Sequence, residues 1–322
     1  MVFSQAFVKR VLVMKIILTG ATGFIGKHLL YRLLEDENEV VTVSRKLTAS
    51  IGNNWKHVAC DLGDPDCKKF EKLCQDFKPD AILHLAGNAT PSTASENPYK
   101  MMQDNIISTH KVVQCSPQGC RVVLASSVII YGDWLFSKDR RGFLRYKEDS
   151  FPKPTSIYGI SKRASESIVE IYTNWGEING CALRLCATVG SGVTHGILKD
   201  FVKKVLSEDP CLEALGGHPG STKPFCHVDD AVEAFMLMLK SKTNTSYNVC
   251  PDDEITVEEV GRAVMEALGR NKPLRFLGED STWNGDNKII RASNDKIKKL
   301  GWTPKYPKSS DAIKAAVRDM VS

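Results

Sequence analysis

The chain has 322 residues, 42% of them hydrophobic and 25% charged, and a net charge of +5 from 43 basic and 38 acidic side chains. That length suits two ordinary domains or one large one, and the balance excludes a largely disordered chain, a collagen-like chain and a coiled-coil rod. No apolar run approaches the roughly 20 residues of a membrane span, and a mild basic excess spread over this length is weak support for nucleic acid, so neither partner is expected.

The first thirteen residues do not read as a signal peptide, because Lys9 and Arg10 interrupt the apolar stretch and no small-residue cleavage site follows. Short β-branched runs then alternate with amphipathic stretches. Strands are predicted at Lys15–Thr19, Val40–Ser44, His57–Cys60, Ala81–Ala86, Arg121–Ala125 and Cys181–Leu185. Helices are predicted at Gly26–Glu35, Asp66–Phe77, Tyr99–Cys115 and Ser156–Trp175. This alternation implies right-handed crossovers and a parallel sheet covered on both faces. After Leu185 the rhythm breaks, and helices are predicted at Leu198–Ser207, Asp229–Leu239, Val257–Leu268 and Ser309–Met320. The expected fold is α/β: a Rossmann-type doubly wound parallel sheet with a smaller mixed α/β C-terminal substrate domain. Residues 1–185, with 225–248 returning to them, form the first domain; 186–224 and 249–322 form the second. Ten cysteines occur without any Cys-x-x-Cys pair, so neither zinc nor a disulfide framework is expected. Reduced, mostly buried thiols in a cytoplasmic protein are expected instead, and no metal ligands are assigned to His84 or His227.

The first strand runs into Gly20-Ala-Thr-Gly23-Phe-Ile-Gly26 and then a helix. Glycines in this setting permit a tight turn and let backbone N–H groups approach a pyrophosphate at the positive end of the helix dipole. A nicotinamide dinucleotide is the expected cofactor. At the end of the second strand, where NAD sites usually carry an acid for the ribose 2′-hydroxyl, stand Ser44, Arg45 and Lys46. A hydroxyl with a guanidinium suits a 2′-phosphate, so the expectation leans to NADP over NAD. Asp61 and Leu62 follow the third strand, where they face the adenine or, for Asp61, cap the next turn.

Tyr158 and Lys162 are four apart in a helical stretch and therefore share a face. A free tyrosine, with a pKa near 10, is a poor acid–base group at neutrality; a neighbouring ammonium and an oxidised nicotinamide would favour its phenolate. Ser127 ends a buried strand, where its hydroxyl can hold a substrate oxygen while Tyr158 exchanges the proton. Ser126 reads as a neighbour packed near the nicotinamide.

These motifs, together with Asp80-Ala-Ile-Leu-His-Leu-Ala-Gly87, Asn105 with Thr109, Ser126-Ser127-Val-Ile-Ile-Tyr131-Gly132, Tyr158-Gly-Ile-Ser-Lys162, Leu183-Arg184, Phe225-Cys-His227-Val-Asp229-Asp230 and Leu300-Gly-Trp302, resemble the extended short-chain dehydrogenase/reductase superfamily. Within it the likeness is to the NAD-dependent epimerase/dehydratase group that modifies nucleotide sugars. The resemblance implies a homodimer paired through the helices around Tyr99–Cys115 and Ser156–Trp175, a nucleotide-sugar substrate, and hydride transfer at the sugar carbon whose oxygen Ser127 and Tyr158 hold. It implies cofactor contacts from Thr22, Phe24, Ile25, Leu85, Ala86, Gly87 and Asn105. On the sugar side it points to Ala187, where relatives commonly carry Asn; to Lys223, which replaces an Arg; and to Arg291. Related dehydratases carry an acidic pair after the serine, and decarboxylases a Glu at the second position; here these are Val128 and Ile129. Neither can move a proton, so dehydratase and decarboxylase activities are disfavoured. Chemistry at C4 is expected, with a slight lean to an NADPH-dependent 4-keto reductase over an NAD-dependent 4-epimerase; a non-catalytic dinucleotide sensor is the reading from another class. The basic, aromatic segment from Trp134 to Lys147 reads as a solvated loop that could close over a diphosphate.

Overall fold

A computed structural model describes residues 13–46, 54–90, 96–132, 145–278 and 287–321. The amino-terminal extension and the part of the basic loop that holds Lys138, Arg140 and Arg141 lie outside the described residues. In chain order the elements that position the site are β1 (Lys15–Thr19), α1 (Phe24–Glu35), β2 (Glu39–Ser44), β3 (Trp55–Ala59), α2 (Lys69–Phe77), β4 (Ala81–His84) and α3 (Pro98–Met102). A π-helical turn, Gln103–Ile107, leads into α4 (Ser108–Cys115); then come β5 (Cys120–Ser127), α5 (Ile157–Asn174), β6 (Ile178–Leu185) and β7 (Ala187–Val189). Beyond them lie α6 (Ile197–Leu206), β8 (Leu212–Ala214), β9 (Thr222–Lys223), β10 (Phe225–His227), α7 (Val228–Lys240), β11 (Tyr247–Val249), β12 (Ile255–Thr256), α8 (Val257–Ala267), β13 (Leu274–Phe276), α9 (Asp295–Lys298) and α10 (Ser309–Val321).

Seven strands form one sheet in the order β11-β6-β5-β4-β1-β2-β3, every neighbouring pair parallel. The predicted α/β doubly wound sheet is therefore the observed fold. Its strands have side chains buried on both faces, and the two-residue period divides them between two cores. Ile16, Leu18, Leu83, Val123 and Leu183 face Leu29 and Leu33 of α1 and Phe235 and Met238 of α7. Ile17, Val41, Ile82, Val122 and Ala182 face Phe70 and Cys74 of α2, Val112 of α4 and Val169 of α5. A third core, with Leu198, Phe201, Leu212, Val260, Val264 and Ile313, holds the later helices together.

Several predicted boundaries shift for physical reasons. The third strand begins at Trp55 because its register against Val40–Ser44 starts there. Helix α2 starts at Lys69 rather than Asp66, since Asp64 Oδ1 accepts from Asp66 N at 2.9 Å and holds a turn instead. The stretch Tyr99–Cys115 is interrupted by the π-helical turn centred on Asn105. Short strands β7 to β10, β12 and β13 escape sequence periodicity because two or three residues carry too little pattern.

Candidate active site

Parallel strands end on the same side of a sheet, and the sheet reverses its strand order between β1 and β4. Ligands of open α/β sheets bind in the crevice at such a switch point. The residues assigned to the dinucleotide by sequence gather along this edge. Gly20, Thr22, Gly23, Phe24, Ile25 and Gly26 follow β1; Ser44, Arg45 and Lys46 end or follow β2; Asp61 and Leu62 follow β3; Leu85, Ala86 and Gly87 follow β4. Gly20 N donates to Val43 O at 3.1 Å, Leu85 N to Thr19 O at 3.2 Å and Ala86 N to the Thr19 hydroxyl at 3.1 Å, tying three strand ends together. The Thr19 hydroxyl also meets His84 Nδ1 at 2.7 Å, and burial holds His84 neutral with its pKa lowered to about 3.

The loop fits a dinucleotide. Gly20 has φ of 74°, and a Cβ on Gly26 would lie 2.2 Å from Gly20 O, so both positions demand glycine. Gly23 caps α1 without a side-chain bond, which leaves the first-turn N–H groups available to a pyrophosphate. We expect Gly26→Ala to abolish dinucleotide binding by calorimetry, since relief of this clash displaces the loop itself.

On the ribose side, the Ser44 hydroxyl donates to Lys46 O at 2.8 Å, and Arg45, 62% exposed, pairs with Asp104 at 3.6 Å. Asp61 Oδ1 accepts from Gly63 N at 3.0 Å, so Asp61 caps its turn, while Leu62 is buried in the second core. Asn105 is buried; its amide donates to Ser161 Oγ at 2.8 Å and accepts from Asn88 N at 2.7 Å, beside Gly87.

Ser127, Tyr158 and Lys162 come together at the end of β5. Ser127 Oγ accepts from Ile129 N at 3.3 Å and starts the 3₁₀ turn Val128–Tyr131. Ser156 caps α5 by accepting from Gly159 N at 3.1 Å, which sets Tyr158 in the first helical turn. A Cβ on Gly159 would meet Pro154 Cβ at 2.9 Å and Ile129 O at 3.1 Å, so only glycine lets the helix approach this turn so closely. The Tyr158 phenol is thereby near enough to the Ser127 hydroxyl for that group to oppose the effect of burial on it. Lys162 Nζ lies 5.9 Å from the Tyr158 ring centre and donates to Ala125 O at 2.9 Å.

Burial works against the phenolate. Burial pushes Tyr158 up to about 12, a rise only partly offset by the Ser127 hydrogen bond, and burial pulls Lys162 down to about 8 despite Glu166. The protein groups alone therefore do not favour phenolate, because desolvation outweighs the Ser127 hydroxyl. A stability signature follows from the sign of these shifts. Below pH 8 both folded and unfolded chains carry the ammonium. Between about 8 and the ordinary 10.5 the unfolded chain keeps a proton that folded Lys162 has lost, so stability rises with pH. Above the ordinary 10.0 of tyrosine the unfolded chain loses a proton that Tyr158 retains to about 12, and stability falls. Burial raises the thiols of Cys60, Cys74, Cys120, Cys181, Cys186 and Cys250, which lowers stability over the same range. The Lys162 contribution is therefore read in urea unfolding as the native chain minus Lys162→Met, a difference expected to climb from pH 8 to 10 by at most about 1.4 kcal/mol per pH unit.

A buried ionic network behind these groups went unassigned from sequence. Glu166, one turn beyond Lys162 and 0% exposed, accepts from Arg184 Nε at 3.0 Å and Nη2 at 2.9 Å, and from the Ser126 hydroxyl. Ser126 is thus anchored to Glu166. Arg184 Nη1 donates to Tyr131 Oη at 2.6 Å and to Glu148 O at 3.0 Å; Tyr131 donates to Asn248 Oδ1 at 2.9 Å. Burial raises the Tyr131 phenol, which keeps it protonated as that donor. The available signal was a lone arginine inside the apolar run Cys181–Leu185. His227 caps α7, its Nδ1 accepting from Asp229 N at 3.3 Å.

On the sugar side, Ala187 opens β7 with its side chain exposed, and Lys223 lies half-buried on β9. Arg291 is half-buried and pairs with Glu254 at 2.9 Å; the same carboxylate binds Arg145 at 2.8 Å. The segment that carries Arg291 runs beside the approach to Tyr158, since the Thr155 hydroxyl donates to Asn287 Oδ1 at 3.4 Å. Among the described residues no group of three or more His, Cys, Asp or Glu is placed to hold a metal. Among them, too, no helix is long and apolar enough to cross a membrane.

A Rossmann-like sheet whose carboxyl edge carries a glycine-rich turn and a Ser-Tyr-Lys cluster has the architecture of a short-chain dehydrogenase. The chain belongs to the NAD dependent epimerase/dehydratase family, whose model matches residues 16–250. UDP-glucuronic acid decarboxylase 6 of Arabidopsis thaliana is 28% identical over 304 residues, 91% of this chain and 84% of that protein. The crystal structure of a UDP-glucose 4-epimerase from Thermus thermophilus, in complex with NAD, is similar with a TM-score of 0.83 and 25% identity, over 95% of this chain and 98% of that one. Bacillus cereus UDP-glucuronic acid 4-epimerase, in complex with UDP-glucuronic acid and NAD, shares the fold with a TM-score of 0.81 and 22% identity, over 95% of this chain and 98% of that one.

These findings correct one expectation. Val128 and Ile129 spoke against decarboxylases, yet the decarboxylase from Arabidopsis aligns over nearly the whole chain. Two physical reasons explain the error. Val128 is buried in the sheet core and Ile129 packs beside Tyr158, so their side chains report packing rather than a missing acid–base pair. Chemically, a uronate oxidised at C4 is a β-keto acid: its carboxylate leaves as CO2 while the C4 carbonyl takes up the electrons, with no base required at either position.

Proposed function

We propose that the protein oxidises and re-reduces C4 of a UDP-linked sugar with a retained nicotinamide dinucleotide. The observation that carries this reading is the meeting of Ser127, Tyr158 and Lys162 at the carboxyl end of β5, on the same edge of the sheet as the glycine-rich turn. Ser127 positions the C4 oxygen and Tyr158 takes or returns its proton. Lys162, fixed by Ala125 O, supplies positive charge behind the phenol. The bound dinucleotide supplies the hydride acceptor and, when oxidised, a second positive charge that opposes the effect of burial on Tyr158. The buried sheet edge and Tyr131–Arg184 network exclude water and keep β5 and β6 in register behind the site.

NAD is favoured over NADP because Arg45, the residue that argued for a 2′-phosphate, is held by Asp104. With a neutral hexose, C4 chemistry gives 4-epimerisation; with a uronate, the likeness to UDP-glucuronic acid decarboxylases favours loss of CO2 as a second outcome. Purified protein with UDP-glucose, UDP-galactose or UDP-glucuronate and no added cofactor, followed by NMR, tests this. Turnover is expected without net cofactor consumption. Stoichiometric NADPH consumption on a 4-keto sugar would replace the reading with the reductase, and no dinucleotide binding at all would sink it.

We also propose a homodimer through α3, α4 and α5, supported by Tyr99, Ile107, Ile160, Ile171 and Trp175, large apolar side chains exposed on this surface. Sedimentation is expected to give a dimer for the native chain and a monomer for Ile160→Glu/Ile171→Glu.

A further inference from the structure

We propose that Cys60 and Cys67 are a redox-modification site, closing reversibly into a disulfide that fixes the adenine-side loop of the dinucleotide crevice. All ten cysteines are free thiols, and the sulfurs of this pair lie 2.7 Å apart. The proximity is built by the loop and is not a chance of two rotamers. Cys60 N is tied to Ser44 O at 2.9 Å, Asp64 N donates to Asp61 O at 3.2 Å, and Cys67 N donates to Asp64 O at 3.2 Å. Lys111 Nζ clasps Pro65 O at 2.6 Å from α4, and Gln103 Nε2 donates to Gly63 O at 3.0 Å. The backbone is thus already folded into a ring that needs only sulfur motion to close, and a disulfide of about 2.05 Å is within reach. The two residues also differ in access. Cys60 is buried and burial pushes its thiol up to about 12, whereas Cys67 is only half-buried.

That asymmetry sets the order of events with a peroxide as oxidant. The Cys67 thiolate attacks peroxide; an S–O bond forms, the O–O bond breaks, and hydroxide leaves to be protonated to water. The Cys60 sulfur then attacks the sulfenic sulfur; the S–S bond forms, the S–O bond breaks, and a second water carries away the Cys60 proton. Two thiols lose two electrons and two protons, and the peroxide becomes two waters. An external dithiol reverses the change. The ring encloses Asp61 and Leu62, so the consequence for dinucleotide affinity rests on the proposed cofactor reading. Closing it removes loop freedom that binding otherwise has to freeze. Cys186 and Cys226 are likewise neighbouring thiols but both are buried, and they serve as the internal control.

The test treats the full chain with hydrogen peroxide, alkylates remaining thiols, and maps peptides by mass spectrometry with and without dithiothreitol. A Cys60–Cys67 crosslink lighter by two hydrogens is expected, reversible, absent in Cys67→Ser, present in Cys226→Ala and formed before any loss of the Cys186 or Cys226 thiols. NAD affinity by calorimetry is expected to be about threefold or more tighter for the oxidised form, with no such change in peroxide-treated Cys67→Ser. If both thiols stay alkylatable while others oxidise, the site is refuted; if the crosslink forms and affinity is unchanged, its effect on the loop is refuted. Failure of NAD to bind in either form would count against the cofactor reading and leave the mass result standing on its own.

Discussion

Tyr158→Phe is expected to lower kcat by about 10²–10⁴-fold, the range for loss of a positioned acid–base group, while the protein remains folded and still binds its dinucleotide. Phenylalanine keeps the apolar contacts with Met101 and Ile129 and removes only the hydroxyl. Ser127 retains its bond to Leu185 O at 3.3 Å, so no buried donor is orphaned and unfolding free energy should change by about 1 kcal/mol or less. Rapid mixing with substrate reads the chemical step directly, as reduction of bound dinucleotide measured by absorbance. A variant that reduces its dinucleotide at the native rate would remove Tyr158 from the chemistry and return the protein to the class of dinucleotide sensors.

The second large effect is on stability. Arg184→Met should cost about 3–5 kcal/mol, because removing one partner of a buried ion pair leaves the other charge stranded. Glu166 would keep only the Ser126 hydroxyl and a long contact to Arg163 at 3.4 Å, and Tyr131 and Glu148 O would each lose a donor. Denaturant unfolding should show the fall in midpoint. The double change Glu166→Met/Arg184→Met should recover much of it, since two apolar groups desolvate without penalty. If the double variant is as unstable as the sum of the single ones, the pair contributes through packing rather than charge.

The parts of this protein legible in its sequence are those carried by local period and spacing. Short β-branched apolar runs marked the strands of the sheet, and the strand–glycine–helix order around Gly20–Gly26 marked the dinucleotide turn. Tyr158 and Lys162 had to share a helix face because they are one turn apart. Less was legible where the outcome depended on a partner far along the chain. Arg45 reads as a phosphate ligand, and nothing in the local pattern foretells Asp104, from the interrupted helical stretch, 3.6 Å away. Lys162 reads as an activator of Tyr158, but the sequence does not show that its ammonium is anchored on Ala125 O or that burial shifts both groups. Val128 and Ile129 read as vacancies in a catalytic pair and are packing residues.

The sequence alone therefore determined the fold class, because backbone period acts over a few residues, and the family, through the resemblance its motifs carry; it also put forward Ser127, Tyr158 and Lys162 as the reacting cluster. Only the tertiary structure decided what those residues sit among. Glu166, Arg184, Tyr131 and Asn248 converge from four segments, and Cys60 and Cys67 meet through a folded loop. Strand register and desolvation bring such partners together, and neither leaves a repeating mark in the chain.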